Sequence, residues 1–154
     1  MRILVMSDTH GDFFGVSRAV ERQRKAECIF HLGDGERESD ELYYRYPDKK
    51  LFRVRGNCDL GSTLPQNLEV CLEGKHIFAT HGYAENVKYG LITLSYTARE
   101  RGADIVLYGH THCPSLEYEN GMIFMNPGSI RDGRYGIIDI FPDGRVIPQL
   151  MHEI

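Results

Sequence analysis

The chain contains no tryptophan, which removes an optical probe but excludes no function. Its four cysteines, Cys28, Cys58, Cys71 and Cys113, form no Cys-x-x-Cys pair, so the spacing of a zinc finger or a dithiol redox motif is missing. No apolar run approaches the roughly 20 residues of a bilayer-spanning helix, and no basic start leads into a leader-like segment. These absences set the expectation of a cytoplasmic chain with reduced thiols and no membrane partner. Positive charge is also short: 18 Lys and Arg against 22 Asp and Glu leave a net charge of −4. A domain devoted to nucleic-acid backbones is ordinarily basic, so nucleic acid is not an expected partner. Repeats, linkers and low-complexity tracts are lacking, and residues 1–154 read as one domain long enough to bury a core.

What the chain does have is five apolar runs, each closing on a polar motif. The run 2–6 shows no alternation, which suits a strand buried on both faces, and leads into Asp8-Thr9-His10. On an extended backbone Asp8 and His10 project to the same side, a carboxylate and imidazole pair suited to a divalent metal. The later runs close on Gly33-Asp34, Gly56-Asn57-Cys58-Asp59, His81-Gly82 and Gly109-His110-Thr111-His112. Helices are predicted over 13–25, 36–46 and 88–101, the first capped by Asp12. Hairpins are predicted for 68–72 with 76–80 and for 115–118 with 122–125, and 135–141 is expected to pair with 145–151. Alternating strands and helices followed by antiparallel strands point to two sheets packed face to face with helices outside.

Ligands of open α/β sheets bind beyond the carboxyl ends of the strands, so the motifs are expected to meet in one crevice. As candidate ligands they supply Asp8, Asp34, Asn57 and four of the seven histidines. His31 reads instead as a core residue, and His76 and His152 as solvent-facing. Two ions roughly 3.5–4 Å apart clamp the attacking and leaving oxygens of a phosphoryl group. Asp34, at the centre of the set, is the natural bridging carboxylate, and a water held between the ions becomes the nucleophile.

In that order, Asp-x-His, Gly-Asp, Gly-Asn-x-Asp, His-Gly and Gly-His-Thr-His resemble the calcineurin-like metallophosphoesterases. The small size and Gly-Asn-Cys-Asp are similar to the family's compact prokaryotic phosphodiesterase branch. The resemblance implies an α/β fold of four layers, an α-β-β-α sandwich of two mixed β-sheets. It implies that Asp8, His10, Asp34 and His112 hold one metal ion and Asp34, Asn57, His81 and His110 the other. Manganese is the expected ion, with iron, nickel and zinc as alternatives. Asn57 and His81 are expected to act in catalysis, and Asp59 to assist by orienting its neighbours through hydrogen bonds. The implied reaction is hydrolysis of a small phosphodiester, and family habit implies a homodimer. The alternative is a non-catalytic, metal-binding interaction scaffold of the same fold. Scaffold relatives tend to lose ligands, and here none of the ligand positions is lost.

Larger relatives carry Gly-Asn-His where this chain has Cys58. A thiol (pKa ~8.5) is a poorer proton donor near neutrality than an imidazolium (pKa ~6.5), so either a preference for good leaving groups or a proton drawn from a metal-bound water is expected. Cys28 and Cys71 read as core, and Cys113 as packed. Tyr43, Tyr44 and Tyr46 read as a packing or subunit surface. Specificity is expected from the loops 60–67, 83–89 and 131–134.

Overall fold

The protein is described from a computed structural model covering residues 1–153. In chain order the elements are β1 (Arg2–Met6), α1 (Phe13–Arg22), β2 (Cys28–His31), α2 (Glu36–Arg45), β3 (Lys50–Arg53), β4 (Asn67–Leu72), β5 (Lys75–Thr80), α3 (Ile92–Glu100), β6 (Ile105–Leu107), β7 (Ser115–Glu119), β8 (Met122–Asn126), β9 (Arg134–Ile140) and β10 (Val146–His152). One sheet runs β10-β9-β1-β2-β3 and the other β4-β5-β6-β8-β7. Each mixes parallel pairs, such as β1 with β2 and β5 with β6, and antiparallel pairs, such as β1 with β9 and β4 with β5.

The unbroken apolar runs follow from burial on both faces. Alternate residues of β1, Ile3 and Val5, join Phe30, Ile77, Ile105 and Met125 in a core between the sheets. Leu4 and Met6 of the same strand face outward, onto Val16, Ala19 and Val20 of α1 and Leu42 of α2. On the far side Phe78, Val106 and Phe124 pack against Leu94 and Ala98 of α3. The layers are therefore helix, sheet, sheet, helix, the α-β-β-α sandwich. At ~25 cal/mol per Å², each fully buried Leu, Ile or Phe stabilises this core by about 1.5–3 kcal/mol.

Some sequence expectations need correction. The helix read over 88–101 is two pieces: a single 3-10 turn over Val87–Tyr89, then α3 from Ile92. Gly90 between them has φ +130°, outside any helical conformation. The first helix ends at Arg22 rather than at residue 25. Cys28 is buried, but Cys71 and Cys113 are both exposed; β4, which carries Cys71, is an edge strand with its outer side in water. Tyr46 packs on the α1–α2 layer, while Tyr43 and Tyr44 lie exposed. No helix among the described residues is long and apolar enough to cross a membrane.

Candidate metal centre

The five motifs lie just past the ends of β1, β2, β3, β5 and β6, and their side chains converge. Asp8, His10 and His112 each offer a donor atom within 4.8 Å of the others, and so do Asp34, His81 and His110. Asp34 also groups with His10 and Cys58 in the same way. Between the two halves stands Asp34, whose Oδ2 lies 3.4 Å from His81 Nε2 and 3.9 Å from His10 Nε2. Asn57 Oδ1 is 3.0 Å from His81 Nε2. All seven residues assigned to metal from the sequence are thus brought into one cluster.

The backbone that does this differs from the expected extended strand. Asp8 and His10 lie beyond β1 with φ +53° and +42°, and Asp34, His110 and His112 are also left-handed, at +57°, +69° and +59°. Such conformations cost of order 1–3 kcal/mol each and persist where the surroundings hold them. Asp, Asn and His tolerate this region better than most side chains. Glycines allow the turns to touch: a Cβ on Gly33 would collide with the backbone of Gly56, and one on Gly109 with Ser7 Oγ and Asp8.

Whether these residues fit a cation is answered by their unmet valences. Asp8 Oδ2 accepts hydrogen bonds from Ser7 Oγ at 2.6 Å and from the His110 N–H at 3.1 Å. Its Oδ1 is buried and has no hydrogen-bond partner, although His112 Nε2 is 3.1 Å away. His10 Nε2 and His112 Nε2 face each other at 3.2 Å. An orphaned buried carboxylate oxygen costs free energy unless something positive meets it. Donors bound at ~2.1 Å to one ion lie up to ~4 Å apart, close to the spacing seen, so the set fits.

Tautomer and charge are arranged for the same purpose. The Leu32 carbonyl can only accept, so His81 Nδ1–H donates to it across 2.7 Å; Nε2 is left to face Asp34, and once its proton is lost it offers a lone pair to a cation. Burial opposes ionisation of Asp34, yet its contact with His81 and the Cys58 N–H, 2.8 Å from Oδ1, hold the carboxyl well below the usual carboxylate range. Burial likewise opposes charge on His81, but the nearby Asp34 and Asp8 carboxylates raise its pKa. Burial and the neighbouring His81 push His110 down. Burial and the proximity of Asp34 push the Cys58 thiol up.

Asp59 directs its carboxylate to the backbone of the cluster. Its Oδ2 accepts from the N–H groups of Asp34 (2.8 Å) and Gly56 (2.7 Å), and its Oδ1 from Gly35 (2.9 Å) and Glu36 (3.0 Å). It ties the second and third motifs together and caps α2, which makes it a positioning residue. Sequence reasoning missed several more of these. Glu38 Oε2 accepts from Thr9 Oγ1 at 2.8 Å and from the Gly11 N–H at 3.1 Å, bracing the first motif. Ser129 Oγ donates to the Asp8 carbonyl at 2.7 Å. Asn126 Nδ2 donates to the Gly109 carbonyl at 3.0 Å and to Thr111 Oγ1 at 2.9 Å, so residues 126–129 support two motifs. His31 is buried and reaches Thr9 Oγ1 at 3.3 Å, while His76 pairs with Glu69 at 2.9 Å and His152 is exposed.

Two mixed sheets back to back, with Asp, Asn and His gathered at their strand ends, define the metallophosphoesterase class. The chain belongs to the calcineurin-like phosphoesterase superfamily, whose domain matches residues 1–139; the family is divalent-metal dependent. It is 32% identical over 133 residues to the probable metallophosphoesterase YsnB of Bacillus subtilis (strain 168), covering 85% of this chain and 76% of that one. To the phosphodiesterase YfcE of Escherichia coli (strain K12) it is 30% identical, over 90% and 88% of the two chains. A crystal structure of a predicted phosphoesterase from Streptococcus pneumoniae TIGR4 superposes with a TM-score of 0.78 at 31% identity, over 99% of this chain and 97% of that one. Vacuolar protein sorting-associated protein 29 of Schizosaccharomyces pombe is also similar, at 29% identity over 82% of this chain and 67% of its own.

Proposed function

We propose that the chain is a phosphodiesterase that hydrolyses a small phosphodiester with two divalent ions, manganese foremost. Asp8, His10, Asp34 and His112 would hold one ion and Asp34, Asn57, His81 and His110 the other. The observation that carries this reading is the position of Asp34 Oδ2, between His10 Nε2 and His81 Nε2, with the orphaned Asp8 Oδ1 in the neighbouring group. Bound there, a pair of ions supplies Lewis acidity, acidifying water and neutralising phosphoryl oxygens.

The chain's own groups prepare that chemistry. Asp34 stays ionised at working pH because His81 and the Cys58 N–H stabilise its charge. The Leu32 carbonyl holds His81 in the tautomer that presents Nε2. Cys58 lines the cluster with its thiol kept protonated, and no imidazole stands at that position, so the leaving group departs with little help from an acid.

The scaffold reading has a relative in its favour, but scaffold relatives tend to lose ligands, and here every ligand position is filled. Purified protein is expected to hydrolyse an activated aryl diester with excess manganese. Asp34→Asn and His81→Ala are expected to lose at least about 10²-fold in kcat/KM. Variants as active as the wild type, or a manganese-binding wild type inactive on every diester, would sink the reading.

A further inference from the structure

Two cavities adjoin the ligand cluster, and their charges differ. One, of about 290 Å³, shares Asn57 and His81 with the cluster and is otherwise lined by Arg55, Gln66 and Tyr83 among others. In that lining Arg55 carries the only full charge, since the remaining side chains are neutral or imidazole. The other, of about 330 Å³, adjoins His10 and Asp34 and is lined by the carboxylates of Asp34, Glu36, Glu38 and Asp59 around Arg37. An electron-rich or anionic group is repelled by the second lining and favoured by the first.

We infer that the cavity beside Asn57 and His81 is a subsite for one organic arm of the phosphodiester, and that this arm is a planar, hydrogen-bonding heterocycle of the nucleobase kind. The inference deepens the phosphodiesterase reading and rests on it. Three side chains carry it. The Tyr83 ring is 60% exposed and lies perpendicular to the His110 ring, with centroids 5.4 Å apart at 89°, a contact that steadies an aromatic ring in the wall of the cavity. Arg55 offers a planar guanidinium that stacks on rings and donates in plane. Gln66 offers both an acceptor and a donor in one amide.

Size agrees with this assignment. At roughly 30 Å³ per water, the cavity has room for one ring system with its polar edge, at the lower end for small-ligand pockets. A long acyl chain is disfavoured by the polar groups it would leave unpaired. Gln66 and Tyr83 come from two of the three loops expected to set specificity, 60–67 and 83–89, whereas the third, 131–134, lines neither cavity.

The test is calorimetric binding of thymidine 5′-monophosphate and of inorganic phosphate to the manganese-loaded chain. Wild type is expected to bind the nucleotide at least about tenfold more tightly than phosphate, as a stacked base implies. Arg55→Ala, Gln66→Ala and Tyr83→Ala are each expected to shrink that ratio, and Tyr83→Phe to keep it. A wild type without nucleotide preference, or variants that weaken both ligands equally, would overturn the inference; the latter would make Arg55 a phosphate clamp. Turnover of methyl p-nitrophenyl phosphate by the wild type checks the underlying reading separately. Turnover without nucleotide preference removes the subsite alone. An Arg55-dependent preference without turnover keeps the subsite and removes the phosphodiesterase.

Discussion

His81 donates its Nδ1 hydrogen to the carbonyl oxygen of Leu32, 2.7 Å away, and thereby fixes which of its nitrogens faces Asp34. The carbonyl belongs to the loop just after β2, the strand whose end carries Asp34. One sheet's strand end therefore sets the tautomer of a histidine from the other sheet. His81→Gln can still reach into the cluster but cannot reproduce an imidazole lone pair at that point. It is expected to lose about 10²-fold or more in diester kcat/KM while its thermal unfolding stays cooperative, checked by kinetics and calorimetry side by side.

Asp59 accepts four backbone N–H groups, and hydrogen bonds to a charged acceptor contribute about 1.5–3 kcal/mol each where partly buried, with losses that do not add. Asp59→Ala is expected to cost the metal-free chain about 2 kcal/mol or more in urea denaturation. Its manganese affinity should fall about 10–100-fold, because the Asp34 backbone loses its anchor. Asp59→Asn keeps one acceptor oxygen and should fall between.

His31 is buried beside Thr9, and burial pushes its pKa down to about 4. In the unfolded chain an ordinary histidine titrates near ~6.5. Below that pH the unfolded state takes up a proton that the folded state refuses until about pH 4, so stability falls as pH drops through that window. From pH 7 to pH 5 the loss attributable to His31 is about 2 kcal/mol. Urea denaturation of the metal-free chain at the two pH values should show this fall diminished by that amount in His31→Asn. Identical pH dependence in the two proteins would remove His31 as its cause.

Cys58 stands where an imidazole would protonate a leaving group, with its thiol pushed above the ordinary range by burial and Asp34. Across aryl diesters of graded phenol acidity, log kcat/KM should fall steeply as the phenol pKa rises. Cys58→Ser should leave that slope unchanged. A flat dependence would show that some other group delivers the proton.

Much of the site was legible because the chain marks each buried strand with an uninterrupted apolar run and then stops it with a polar residue. Asp8, Asp34, Asn57, His81 and His110 all follow such runs, so their convergence could be read without coordinates. The left-handed backbone at Asp8 and His10 could not, since the contacts that brace this turn come from Glu38, 27 residues from Gly11, and Ser129, 121 residues from Asp8. Those bracing residues carry no local pattern; Glu38 sits among other acidic residues at a helix start. The break at Gly90 was hidden because the apolar spacing continues across it. Cys71 is exposed because it shares the outer face of β4 with Glu69, while Leu68, Val70 and Leu72 take the core face, and its apolar neighbours on both sides mask that alternation.

The account turns on a pair of ions sharing Asp34. Titrating metal-free protein with manganese while following the free-ion paramagnetic resonance signal counts bound ions directly. Two ions per chain at saturation, with the count reduced in Asp34→Asn, is the predicted result; one ion or none, or an unaltered count in that variant, would contradict it.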